Sequence, residues 1–385
     1  MTLRVRGLAP PRAAAGRSVS GAFILLCVCT GALAQTVTET DTQTGDKAFP
    51  VVAFGGEVRQ KVEANSNPGF GLVPSDGNGF VTMETRLAAN ADVRLAPAVR
   101  LYGEVAHASQ WGRDSGPRPF DESDLSAIAA YVELDDSEAG DVVARIGRQP
   151  LAFGSFRLSS IRNGVGTRRS FDAARVSAPL GSAKLDAFYG REVQVGDGIF
   201  DDAAGVLGGP PRGPAFWGVY AEIEPAKGES PGFDAYYFGL GRDDAVYADA
   251  SGDETRHSLN ARLHGKTRGV DYDLEGAWQV GSVGRSDIQA WGLGGDVGYA
   301  FDALHRSPRL GLRANYASGD RTPSDGELGS YNPYFPALVY FSFAVELAPT
   351  NTTGFRPSLS VSPIDGLTVE ASTYLTRRSV RDDAV

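Results

Sequence analysis

Hydrophobic and polar positions alternate one by one along most of this chain. From Val81 to Leu95 the odd positions read Val, Met, Thr, Leu, Ala, Ala, Val, Leu, and the even positions from Thr82 to Arg94 read Thr, Glu, Arg, Ala, Asn, Asp, Arg. A period of two places successive side chains on opposite faces of an extended strand. This run is about three times as long as the usual strand of ~5–6 residues. The pattern returns at 256–264, 271–279 and 367–375, where Leu, Ala, Tyr, Trp and Val alternate with charged or small polar residues. Turn-rich stretches such as "LAPA" (95–98), "APLGSA" (178–183), "GKTRG" (265–269) and "SPIDG" (362–366) separate the segments. About 16 segments of roughly 8–16 residues result, with no helical period between them.

Two architectures use many amphipathic antiparallel strands. A soluble sandwich or solenoid turns the apolar face inward. A barrel of the bacterial outer membrane turns it outward to lipid and faces a wet lumen with the polar side. The polar faces here carry full charges of both signs at successive positions. A lumen tolerates that and a packed core does not. The expected fold is therefore all-β: a transmembrane, antiparallel, up-and-down outer-membrane β-barrel of about 16 strands.

The start of the chain fits that destination. Arg4, Arg6, Arg12 and Arg17 precede the apolar run "GAFILLCVCTGALA" (21–34), which ends in Ala32-Leu33-Ala34. This reads as a secretory signal peptide over residues 1–34, cut before Gln35. The alternative, an N-terminal membrane anchor, needs ~20 apolar residues. Both cysteines, Cys27 and Cys29, leave with the signal, so neither a disulfide nor a thiolate metal site is expected afterwards. Residues 35–48 read as a short periplasmic segment and 49–385 as the barrel. The whole chain carries 37 basic and 47 acidic residues, a net charge of −10, and loss of the four signal arginines leaves −14.

Against that acidity, residues 145–176, "RIGRQPLAFGSFRLSSIRNGVGTRRSFDAARV", hold seven arginines, no lysine and one acid, Asp172. This stretch resembles the signature of the bacterial alginate export family. Arg145, Gly147, Arg148, Gln149, Gly154, Arg157, Leu158, Arg162, Arg168, Arg169, Ser170, Phe171 and Asp172 carry the likeness. Ala173 stands where glycine is usual and "NGVGT" (163–167) where "GPN" is usual. Further similar stretches follow in order, among them "GGEVRQKVE" (55–63), "GIFDD" (198–202), "FWGVY" (216–220), "DETRHSLNARLHG" (253–265), "DIQAWGLGGDVGY" (287–299) and "LGSYNPYFP" (328–336). The resemblance implies an 18-strand exporter, so about 16 strands suggest a chain lacking the final ones. It also implies transport of an anionic polysaccharide, an alginate-like polyuronate, across the outer membrane of a Gram-negative cell, with a periplasmic export scaffold as a further partner.

Arginine suits such a cargo because it stays charged and its planar fork pairs with carboxylates. By parity Arg86, Arg94, Arg145, Arg175, Arg256, Arg262 and Arg313 face the lumen, and the motif adds Arg148. Arg157, Arg162, Arg168 and Arg169 lie in the connection between two strands. Folded inward, they line an electropositive throat. Left on the surface, they meet the phosphates of lipopolysaccharide, the other expected partner along with outer-membrane lipid. Glu84, Asp92, Asp271, Asp273 and Glu275 also read inward and, with Asp172, are expected to pair with the arginines.

Other chemistries find little support. The four histidines, 107, 257, 264 and 305, form no catalytic motif, so the reading is not an enzyme. No metal site is expected, since "DRTPSDGE" (320–327) lacks the alternate-oxygen spacing of a calcium loop. No cofactor fingerprint is present, and the acidic balance argues against nucleic acid. The barrel is expected to be a monomer. A diffusion porin selective for anions or oligosaccharides stays open beside the exporter, and an outer-membrane enzyme stands behind both. The N-terminus gives a first check: sequencing of the protein purified from outer membranes should begin at Gln35, and a protein that retains Met1 or starts within 1–22 would refute the signal peptide.

Overall fold

The computed structural model describes strands Phe23–Val28 and Ala32–Thr38 and residues 49–65, 80–113, 116–118, 120–136, 141–195, 213–223, 231–337, 350–364 and 367–383. The basic start of the signal peptide, most of 35–48 and the motif at 198–202 lie outside these residues. Long alternating segments leave each strand one apolar and one polar face, and the described residues form strands, turns and loops with no helix.

The strands are β1 (Phe23–Val28), β2 (Ala32–Thr38), β3 (Val51–Asn65), β4 (Phe80–Ala96), β5 (Val99–Trp111), β6 (Ser123–Asp136), β7 (Val142–Gln149), β8 (Phe171–Leu180), β9 (Ala183–Glu192), β10 (Ala215–Ile223), β11 (Gly232–Val246), β12 (Ser251–Thr267), β13 (Val270–Val283), β14 (Ser286–Ala300), β15 (Arg309–Ala317), β16 (Glu327–Leu328), β17 (Thr352–Ile364), β18 (Leu367–Ser372) and β19 (Leu375–Arg378). All join one sheet. From β3 to β15 each pairs antiparallel with the next. β17 continues against β15, and β18 and β19 both pair with β17, near its two ends. The two-residue β16 touches β14 in parallel. β1 and β2 lie along the edge of β3 that β4 leaves free. Among the described residues no ladder joins β18 or β19 to β3.

The faces are inverted relative to a soluble protein. Leu87, Leu259 and Leu293 stand outward and about half exposed, while Arg86, Arg256 and Gln279 are essentially inaccessible inside. On β14 the outward row runs Trp291, Leu293, Gly295, Val297, Tyr299. Its two aromatics stand roughly 26 Å apart along the strand at ~3.3 Å per residue. That matches an apolar band ~25 Å tall edged by aromatic girdles. Trp278 pairs across the strands with Trp291, which stacks on Tyr316 at 4.4 Å.

One end of the barrel carries short turns, at 97–98, 181–182 and 268–269. The other carries the long connections, including 150–170 and 318–351. Residues 150–170 and 318–337 turn into the lumen and join each other: the Phe335 amide donates to the Leu158 carbonyl (3.0 Å) and that of Ala337 to Phe156 (2.8 Å). Around the junction sits a packed core of Leu151, Phe153, Leu158, Phe171, Phe188, Phe216, Tyr220, Tyr236, Phe238, Tyr331, Tyr334 and Phe335. A uniformly polar lumen was expected. Instead the inner face of β9–β11 is aromatic, because the inward loops give its rings something dry to pack on.

The outer face yields a prediction. Leu274→Arg puts a charge in the lipid-facing band and should lower stability by ~2–4 kcal/mol if it lies near the midplane, measured by denaturant unfolding in lipid vesicles. An unchanged midpoint would mean that this face does not meet lipid.

Candidate functional site

The loop of residues 150–170 spans the lumen from one wall to another. It leaves β7 through Pro150 and enters the aromatic core, where Phe153 stacks on Phe188 (4.9 Å) and Tyr220 (5.3 Å). Gly154 permits the turn: its φ is +55°, and a β-carbon there would lie 2.5 Å from the Tyr220 hydroxyl. At the far end Gly166 lies so close to the 112–122 connection that a β-carbon would stand 2.1 Å from the Asp121 carbonyl oxygen. The Thr167 amide donates to Phe120 (3.0 Å), and the Ser170 hydroxyl donates to the Ile128 carbonyl (2.6 Å) before β8 begins.

Arginine–carboxylate pairs fix both ends of this crossing. Arg157 donates to Asp273 and Glu275, each at 2.8 Å. Glu275 also accepts from the Tyr236 hydroxyl (2.6 Å) and from Ser155. On the opposite wall Arg168 donates to Glu104 (2.5 Å) and to Glu57. Arg86 and Arg59 reach up from β4 and β3. Arg86 donates to the Val165 carbonyl (3.1 Å), the Asn163 side chain (2.7 Å) and Glu57 (2.6 Å). Arg59 donates to the Val165 carbonyl (2.8 Å) and to Glu84. Lys61 reaches the Gly164 carbonyl at 3.0 Å and Glu84 at 3.3 Å. Arg169 pairs with Glu192 (2.7 Å) and lies over the Phe335 ring.

Arg162 is held differently. Its φ is +53°, its amide donates to the Ser160 hydroxyl (3.1 Å), and its guanidinium lies 4.9 Å over Phe120. Its Nε has no hydrogen-bond partner among the described residues. Burial, reinforced by Arg169, pushes it down to about 10, so it is still charged at neutral pH.

The remaining arginines of the sequence reading line the barrel wall. Arg148 forks onto Asp172 (2.9 and 3.1 Å). Arg145 pairs with Glu133 and covers the Tyr131 ring (4.3 Å). Arg175 pairs with Asp186 at 2.7 Å. Arg262 bridges Asp234 (2.8 Å) and Asp273 (2.9 Å). Arg313 meets Asp296 at 2.9 Å. Arg256 is enclosed by Glu254, Gln279 and the Ser330 carbonyl, and so ties the second inward loop to the wall. Arg94 is exposed at the short-turn end. Among the acids, Asp92 accepts from Arg100 (2.7 Å) and Asp271 from Arg309 (2.5 Å).

Two cavities share Arg100, and one of them lies beside the loop. A 440 Å³ vestibule near the short turns is lined by Arg100, Arg145, Arg175 and Lys184 with only two carboxylates, Glu133 and Asp141. A 270 Å³ slot lies between the loop and the β5–β6 wall, against Tyr102, Tyr131, Arg168 and Arg169, and shares Arg100 with the vestibule.

Sequence reasoning passed over Glu57, Arg59, Lys61 and Glu63, although parity was available: they share one face of β3, and Val58 and Val62 are exposed on the other. It also missed Lys184 and the aromatic core, whose strands are apolar on both faces over 187–190, 216–220 and 235–240 and carry no alternation there. The buried pairs can be tested. Arg86→Ala removes one of the two cations on Glu57 and one of the donors to the Val165 carbonyl and the Asn163 side chain. It should destabilise the protein by ~1.5–3 kcal/mol, the loss of hydrogen bonds to a charged group, in denaturant unfolding and speed proteolysis between 150 and 170; a wild-type midpoint and digestion rate would show that Arg86 does not hold the loop.

No curated protein matches the chain. Among solved structures, OmpT of Vibrio cholerae, an outer membrane protein in its trimer form, is similar at 10% identity over 87% of this chain and 93% of that one, with a TM-score of 0.48. OccK11 (OpdR) of Pseudomonas aeruginosa is similar at 14% identity over 78% and 77%, with a TM-score of 0.49. A BenF-like porin of Pseudomonas fluorescens Pf-5 is similar at 12% identity over 86% and 95%, with a TM-score of 0.47. The model for alginate export matches residues 51–385, the whole span of β3 to β19, and the chain belongs to the alginate export family.

Proposed function

We propose that this outer-membrane channel exports an anionic polysaccharide of the polyuronate class through an arginine-lined pore. The observation that carries the proposal is the vestibule at the short-turn end. Bacterial outer-membrane barrels place short turns in the periplasm and long loops outside, so a chain arriving from the periplasm meets the vestibule first. Four cations face two carboxylates there, and Lys184 is exposed with no ion pair among the described residues. Rings of Arg and Lys are the general means of admitting anions. Most guanidiniums are already paired, so a passing carboxylate exchanges with a resident one instead of binding a bare charge. That keeps each contact weak enough for a polymer to keep moving.

The proposed route has a signal peptide at its start and a periplasmic scaffold that delivers the polymer. Net acidity is no obstacle, because local field and not total charge governs an anion's approach.

Reversal potentials across a salt gradient in planar bilayers test the proposal. Anion selectivity is expected, weakened by Lys184→Glu combined with Arg145→Glu, both in the vestibule, with reversible block by oligouronate. The effect should shrink at high salt as the Debye length falls to ~3 Å at 1 M. Cation selectivity indifferent to both substitutions sinks the anionic cargo. Anion selectivity without oligouronate block leaves a diffusion porin for small anions.

A further inference from the structure

We infer that the permeation path is one-sided: it runs through the vestibule and then the slot along the β5–β6 wall, while the β9–β14 side of the lumen is sealed. The inference rests on reading the protein as a channel and adds where, within the lumen, the cargo passes. Three observations carry it.

The first is what fills the far side. Phe188, Phe216, Tyr220, Tyr236 and Phe238 point inward from β9–β11, and the two inward loops cover them with rings of their own. Phe216 meets Phe335 at 5.0 Å and Phe238 at 5.1 Å, both edge-on. Interiors packed this way hold few voids larger than a water molecule.

The second is the space that remains. Inside the wall, beside Arg157, Leu158, Glu275 and Tyr331, the cavity measures 20 Å³, room for about one water; the 640 Å³ hollow on the same wall is lined mainly by the outward Phe233, Leu263, Leu274, Leu293 and Phe355 and belongs to the lipid face. On the other side the vestibule measures 440 Å³ and the slot 270 Å³, at or close to the ~300–1,000 Å³ of small-molecule sites.

The third is the chemistry of the slot. Arg100 stands in both cavities, so one guanidinium passes a carboxylate from the first to the second. Tyr102 and Tyr131 stack at 5.2 Å, with Arg100 over the Tyr102 ring and Arg145 over the Tyr131 ring. Arg168 and Arg169 face them from the loop, Glu104 beside Arg168 is the one carboxylate against the slot's three arginines, and Ile161 supplies an apolar surface. Cations for a carboxylate and apolar or aromatic surface for ring carbons together fit single acidic sugar units in file. A small inorganic anion would need only the cations.

Single cysteines locate the path whatever its selectivity. The full chain carrying Cys27→Ser and Cys29→Ser receives Ala129→Cys (slot), Ser177→Cys (vestibule), Ala277→Cys or Ala290→Cys (sealed side). Each variant is treated with an anionic and a cationic methanethiosulfonate reagent. Labelling is read by mass spectrometry and conductance in planar bilayers. The expected result is rapid labelling at 129 and 177 with loss of most of the current, and slow labelling at 277 and 290 with the current intact. Full labelling at 129 and 177 without loss of current overturns the one-sided path. So does rapid labelling with block at 277 or 290. Reversal potentials of the unlabelled protein judge the anionic cargo separately, so a cation-selective channel blocked at 129 would keep the path and discard the polyuronate.

Discussion

Pairing between guanidinium and carboxylate inside the lumen is the interaction on which this structure depends. A strand that turns its apolar face to lipid must turn its polar face inward, and here that face is densely charged. Desolvating either charge alone would be costly, and leaving one partner unpaired costs more than the pair returns. The two signs are therefore interleaved, strand against strand: Arg100 between Asp92 and Glu133, Arg262 between Asp234 and Asp273, and Arg309 between Asp271 and Asp296. Arginine serves because its fork can address two acceptors at once without losing its charge. The same pairs serve two ends: on the wall they fix side chains, and on the loop they fix backbone.

The motif arginines divide along that line. Arg157 and Arg168 carry the loop to opposite walls, and Arg168 borders the slot as well. Arg145 and Arg175 line the vestibule and hold one carboxylate each. Arg162 has no ion pair among the described residues. A cluster that looks uniform in sequence thus separates into fasteners and contacts, and it is the fasteners that give the contacts a fixed place.

How much of this was legible follows from what each feature needs. The wall was legible because lipid enforces alternation: Arg86, Arg256, Arg262 and Arg313 could be assigned to the inner face from their neighbours alone. The loop's seat was not, because Arg157 finds Asp273 across 116 residues and Arg168 finds Glu57 across 111, and local pattern says nothing about such partners. The aromatic core was hidden for a third reason. In Phe216-Trp217-Gly218-Val219-Tyr220 both faces are apolar, one for lipid and one for a plug supplied by distant loops. The period-two signal vanishes where the lumen stops being wet.

The loop that crosses the lumen is also a chord between two walls. In a closed barrel, strand number and shear fix the diameter. Here no ladder among the described residues joins β18 or β19 to β3, yet the sheet is curled. The loop ties β3–β5 on one side to β13 on the other through Arg168, Arg86 and Arg157, as a tie-rod holds the feet of an arch. Its length then sets the span. Residues added to this loop would relax the curvature, and residues removed would draw the walls together, so the bore of the pore is written in the spacing between Arg157 and Arg168 as much as in the strands around it.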